Sequence, residues 1–177
     1  QKLQWLNQHY MKTLPAEEVA QALAYQYELL AVDVSQGPAL TQVVDALKER
    51  SKTLKEMAEG SRFWFEDVSE YDEKASAKFL KEDTKGILED MLSALTALTV
   101  WDKASIHDVL KATVESRGVK FPAVAQPIRI AVTGNTISPS VDVTLELLGR
   151  DKSLARISRR SCQAALFCAG VRKRYAG

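Results

Sequence analysis

Gln126-Pro127-Ile128-Arg129-Ile130-Ala131-Val132-Thr133-Gly134 is a stretch that can be read two ways. Ile128, Ile130 and Val132 alternate, as apolar residues do on a half-buried strand. Pro127 and Gly134, however, stand where a helix start and stop belong: proline suits the first helical position, and glycine reaches the left-handed conformation that ends a helix. The helical reading is favoured and predicts a short helix over 127–133. With it, no strand pair joined by a hairpin turn is visible anywhere in the chain. The fold class is therefore all-α.

Working outward, Ser138-Pro139 reads as the next helix start, with Ser138 as cap and Pro139 at the first position; Gly149 ends that helix and Ser153 begins one more. Upstream, Ser105 and Asp108 resemble a helix start and Gly118 its stop. Ile87, Met91, Leu95 and Leu98 form an apolar stripe at helical spacing. Lys2 to Lys12 reads as a first helix, broken at Thr13-Leu14-Pro15. A second follows with Val19, Leu23, Tyr27 and Leu30 facing the core, and Leu40, Val43, Val44 and Leu47 mark a third. Thr53 and Glu56 form a capping box, and Gly60 suits the far end of that helix. After Phe63-Trp64-Phe65 comes an acidic run from Glu66 to Glu73. It places a soft boundary there and gives two subdomains, 1–70 and 71–177.

The chain has 177 residues, 46% hydrophobic and 27% charged, enough to bury a core without disulfides or metal. Cys162 and Cys168 make no disulfide framework, and two histidines without a CxxC argue against structural zinc. The longest apolar stretches are too short for a membrane span, and no leader pattern is present. A soluble protein of a reducing compartment is expected. Because the first residue is Gln1, a fragment or processed chain is expected too. Charge is uneven: residues 1–116 hold 13 Lys+Arg against 20 Asp+Glu, and residues 117–177 hold 11 against 3. That fits either a localised anionic partner or a solvated basic tail.

Several enzyme classes are excluded by pattern. There is no GxxxxGK[ST], no GxGxxG after a strand, no HExxH and no GxSxG. His9 and His107 are isolated and read as surface or packed histidines. Glu17-Glu18, Glu66-Asp67 and Asp72-Glu73 are adjacent in sequence. Adjacent helical positions do not face each other, so these read as solvated faces and helix N-termini. Nothing assembles a nucleophile, a base and oxyanion donors.

The pattern QPIRIAVTG (126–134), SPSVDV (138–143) and LLGRDKSLARI (147–157) resembles glutamyl-tRNA synthetase. Three more stretches agree: Lys2-Leu3-Gln4-Trp5-Leu6-Asn7, the corner Arg50-Ser51-Lys52-Thr53-Leu54-Lys55-Glu56, and Gly118 to Gln126, where Phe121-Pro122 departs from the family. The resemblance spans roughly 2–158 and concerns the C-terminal, anticodon-binding half of these class I ligases. Residues 1–12 would be the end of the segment joining it to a catalytic core. The HIGH-type and KMSKS-type signatures do not occur. The resemblance implies a helical cage of two small subdomains that grips the anticodon stem-loop of tRNA(Glu) and is not itself catalytic. ATP and magnesium would serve the whole enzyme, in a catalytic domain upstream, and no cofactor is implied for this chain. A cytoplasmic, monomeric protein with no membrane partner is implied.

Residue by residue, the resemblance assigns Arg50 to the third anticodon letter, as the group that accepts cytosine and rejects guanine. A guanidinium fork pairs with the acceptors on a cytosine edge, whereas guanine would set N–H groups against its donors. The resemblance assigns Arg129, Ser138, Pro139 and Val141 to the first and second letters, with Asn135 and Thr136 as weaker candidates. Loop bases are splayed out and read on their Watson–Crick edges; a serine hydroxyl and free helix-start N–H groups suit that, and a proline offers a rigid stacking face. Lys52, Lys55, Lys120, Arg150, Lys152 and Arg156 are candidate phosphate contacts, which would position the RNA without reading it. Trp5, Trp64 and Trp101 read as core. After about residue 158 the chain departs from the family, and no functional residue is carried into that basic tail. A helical protein–protein scaffold is the alternative reading.

Overall fold

The ambiguous stretch is helical, but the helix begins six residues earlier than its proline suggests. The computed structural model describes residues 9–80 and 82–161. In it, Phe121–Thr133 forms one helix, with Pro122 in its first turn and Pro127 inside it. An interior proline forfeits one helical hydrogen bond and crowds the preceding turn, a cost of about 3 kcal/mol. Burial outweighs it here: Val124, Ile128, Ile130, Ala131 and Val132 are all fully covered. Gly134 then stops the helix at φ 81°, as its place in the sequence predicts.

The chain divides into two compact units. The first comprises residues up to Asp67 together with Ile137–Pro139; the second comprises Val68–Thr136 and the residues from Ser140 onward. In the first unit, a helical stretch over 9–13 (α1) leads into α2 (Ala16–Leu29), α3 (Leu40–Leu47) and α4 (Leu54–Ser61), followed by a 3-10 turn, Arg62–Trp64. Pro15 is the N-cap of α2 rather than its first residue. The apolar stripes point inward as their spacing requires. Val19, Leu23 and Tyr27 of α2, Val43, Val44 and Leu47 of α3, and Met57 and Ala58 of α4 are buried together. Trp64 is fully buried, and the Phe65 ring meets Tyr27 edge-on at 5.0 Å. Gly60 does not end α4 in a left-handed conformation. It lies within the helix, which runs straight on into the 3-10 turn.

The phenol of Tyr27 sits in this core, 2.5 Å from the Ser61 hydroxyl. Ser61 donates its one proton to the Met57 carbonyl, so Tyr27 is the donor of the pair. Burial pushes the Tyr27 pKa up to about 12. Unfolded tyrosine ionises near 10. The stability is therefore complete below about pH 10 and drains away between about 10 and 12. Tyr27→Phe should flatten that alkaline limb in chemical denaturation run from pH 9 to 12. Identical slopes for the two proteins would contradict the assignment.

The second unit contains α5 (Glu73–Phe79), α6 (Glu82–Thr96), α7 (Lys103–Arg117), α8 (Phe121–Thr133), α9 (Val141–Leu148) and α10, over 150–161. Helix α8 packs against α5, α6, α7 and α9, which explains why it is apolar nearly all round. Asp102, not Ser105, caps α7 by accepting the Ser105 N–H at 2.7 Å. Gly118 ends α7 at φ 63°. Arg117 pairs with Asp90 at 2.6 Å and ties α7 to α6. Trp101, half-buried, donates its indole N–H to the Leu145 carbonyl at 3.0 Å. No strand occurs among the described residues. Trp5, most of the predicted first helix and the basic tail lie outside them.

Candidate nucleic-acid interface

Arg50 owes its position to a corner in which successive backbone groups are already bonded. As α3 ends, the N–H groups of Lys48, Arg50 and Ser51 return to the carbonyls of Val44, Leu47 and Leu47. Three residues on, Thr53 caps α4 by accepting the Glu56 N–H at 3.1 Å. The Glu56 carboxylate reaches back to the Lys52 N–H at 2.9 Å, one residue earlier than in a regular capping box. Ser51 is buried at the hinge of the corner, while Arg50, Lys52 and Lys55 point outward. Lys55 keeps 72% of its side chain exposed and lies 3.8 Å from Glu59, an ion pair too open to hold it.

The guanidinium of Arg50 donates from Nη1 to the carbonyl of Ser138 at 3.3 Å. This bond joins two motif segments that are 88 residues apart, within the first unit. The side chains of the second segment do not face where the sequence suggests. Ser138 is 6% exposed, and its hydroxyl donates to the Pro139 carbonyl at 3.0 Å instead of capping a helix. Pro139 is buried as well, and so offers no open stacking face. The helix that follows begins two residues later than predicted, with Ser140 as its N-cap. Val141, its first residue, is 3% exposed and belongs to the core, so its side chain is no base contact. In this loop the outward residue is Ile137, 83% exposed.

The second unit carries Arg129, half-buried on the less covered face of α8 that Pro122 and Gln126 share. The hydroxyl of Thr133 donates to the Arg129 carbonyl at 2.8 Å and steadies that turn. Asn135 and Thr136 are half-buried beyond it. Lys120 stands exposed at the N-cap of α8, and Lys152 is exposed on α10. Arg150 donates to the Thr96 carbonyl and so closes the end of α6. Arg156 is a correction to the phosphate set. It is 3% exposed and donates to the Val132 carbonyl at 2.7 Å, so it serves the last turn of α8 and cannot reach RNA.

His107 lies on α7 with its Nδ1 3.3 Å from Asp142. Burial pushes the Asp142 carboxyl up. The Ser140 hydroxyl, the Val143 N–H and the charges of Lys103 and His107 outweigh that and hold it below the usual range. Among the described residues no cluster of His, Cys, Asp and Glu could hold a metal ion, and no helix is long and apolar enough to cross a membrane. Asp72 caps α5, and Glu17 and Glu18 occupy the first turn of α2.

The anticodon binding domain family matches residues 9–160. The chain belongs to that family. Among solved structures, this anticodon-binding fold is similar to a glutamate tRNA ligase from Elizabethkingia meningosepticum, solved in complex with its amino acid. The TM-score is 0.80 at 24% identity, over 89% of this chain and 31% of that one. It is also similar to the glutamate-tRNA synthetase of Elizabethkingia anophelis, with a TM-score of 0.74 at 23% identity, over 89% of this chain and 30% of that one. The chain thus spans about a third of the length of the ligases it matches. Likeness at this identity establishes the all-α fold, and the family membership establishes the domain type as anticodon-binding.

Proposed function

We propose that this chain is the anticodon-reading part of a glutamate-tRNA ligase and binds the anticodon stem-loop of tRNA(Glu). The observation that carries the reading is the Arg50–Ser138 hydrogen bond. It brings together the two motif segments that the resemblance assigns to the anticodon, in a chain whose family is anticodon-binding. Arg50 reads the third letter with the donors that its bond to Ser138 leaves available. Arg129, on α8, is the residue that the resemblance assigns to the other letters. Lys52, Lys55, Lys120 and Lys152 meet phosphates, which orient the loop without reading its sequence. The complete ligase, working as a monomer in the cytoplasm, joins glutamate to its tRNA with ATP and magnesium. Those ligands belong to its catalytic portion, and no residue here is assigned to them.

The test is fluorescence anisotropy with a labelled tRNA(Glu) anticodon stem-loop beside the same stem carrying a scrambled loop. The authentic loop should bind more tightly, and log K should fall with log salt with a slope of about −3 for four phosphate contacts. Equal affinity for both loops would leave nonspecific binding, and no binding at all would favour the protein–protein scaffold. Arg156→Met separates structure from RNA contact. The salt slope should stay as it is, while leaving the Val132 acceptor unmade lowers stability by about 1 kcal/mol. A flatter slope at unchanged Tm would return Arg156 to the phosphate set.

A further inference from the structure

We propose that Ile137 is a further positioning contact: an apolar ledge on which one unstacked base of the anticodon loop lies while Arg50 engages a base edge beside it. The proposal rests on the RNA-binding reading above and adds a residue to it. A lone exposed isoleucine is unremarkable on a protein surface. The placement of this one is what matters. Ser138 and Pro139, the neighbours that the resemblance assigns to base contact, are both turned inward, and Ile137 is left as the outward side chain at 83% exposure. The carbonyl of the very next residue holds the Arg50 guanidinium at 3.3 Å. One Cα step is 3.8 Å, so the Ile137 Cα lies within about 10 Å of that guanidinium, the span of roughly one nucleobase with its contacts.

The chemistry of the two groups is complementary. A nucleobase has an apolar face and a polar rim, and a β-branched side chain, stiff about χ1, covers the face without hydrogen bonds of its own. The guanidinium supplies what the rim needs. Such a ledge contributes to binding in a sequence-tolerant way, because every base has a face. Together with Arg50 it fixes which base is presented to the fork. The Ile137 backbone sits in a segment that belongs to the first unit, the same unit as Arg50, so ledge and fork share one support.

The experiment uses the 177-residue chain and the tRNA(Glu) anticodon stem-loop. Ile137→Ala should weaken stem-loop binding about fourfold, the size expected when roughly one methylene's worth of contact is lost. Ile137→Asp should weaken it further, by adding a negative charge near phosphates, and Ile137→Tyr should restore binding through ring stacking. Tm should not move in any of the three, since the side chain is exposed. Stem-loops with a single abasic site, walked through the loop, identify the base: at that position Ile137→Ala should have no further effect. If the unaltered chain binds the loop specifically and Ile137→Ala and Ile137→Asp bind equally well, the ledge is refuted and the anticodon reading stands. If the unaltered chain shows no loop-dependent binding, the anticodon reading fails and the ledge with it.

Discussion

Arg50→Gln should lower the preference for cytosine over guanine at the third anticodon letter by about ten- to a hundredfold. An unmade polar contact in a closed site costs about 1–3 kcal/mol, and the fork is the group that makes it. Arg50 is exposed and donates to the Ser138 carbonyl, so Tm should fall by no more than a few degrees. Arg50→Lys sharpens the test. Lysine keeps the charge but is a compact point donor that cannot present two parallel N–H groups. If the fork's geometry matters, the lysine variant should hold on to overall affinity and salt dependence yet discriminate as poorly as glutamine. Competition between two stem-loops differing at that letter reads the ratio directly. Discrimination intact in both variants would take Arg50 out of the recognition step.

How much of this was legible beforehand differs by element. Helices whose apolar residues recur at 3.6 were clear: Val19, Leu23 and Tyr27, or Val43, Val44 and Leu47, define a buried stripe whatever surrounds them. Stops at Gly118 and Gly134 were clear too, because positive φ is costly for any other residue. Starts were not. Pro127 looks like a first helical residue because an interior proline is normally prohibitive, and only the burial of α8 among four other helices overrides that local rule. Gly60 illustrates the converse: glycine permits a left-handed stop without requiring one, and the 3-10 turn after α4 uses none.

The candidate site divides along the same line. Arg50 could be found because the corner around it is built from local signals, a helix end followed by a Thr53 cap. The inward turn of Ser138, Pro139 and Val141 and the burial of Arg156 could not, because burial is decided by long-range packing. Sequence does hold one hint of Ile137: it is the lone large apolar residue between Gly134 and Pro139, in a loop otherwise made of polar and small residues. That hint gains meaning only once the neighbouring side chains are known to point away.

Gly134→Ala should destabilise the second unit by about 2–5 kcal/mol, and the reason can be divided into two parts. A non-glycine residue in the left-handed region costs about 1–2 kcal/mol. A Cβ at Gly134 would in addition stand 2.6 Å from the Glu70 carbonyl oxygen and 2.8 Å from a methyl of Val68. Relieving that overlap means moving backbone, which costs about 1–3 kcal/mol more. The movement has a direction. The Gly134 carbonyl accepts the Asp72 N–H at 2.8 Å, and Asp72 caps α5 through the Ala75 N–H, so lifting residues 68–72 away from the end of α8 strips α5 of its start. Gly118→Ala is the matched control: φ is 63° there against 81° at Gly134, but a Cβ at Gly118 meets nothing within 4 Å. It should cost only the backbone part, about 1–2 kcal/mol. Thermal melts should therefore place Gly134→Ala well below Gly118→Ala, at about 2–4 °C per kcal/mol for a chain of this length. Hydrogen exchange should show the added opening concentrated in residues 68–79. Equal losses at the two glycines would mean that the approach of Glu70 is relieved at no cost, and that the acidic segment is not seated on the end of α8.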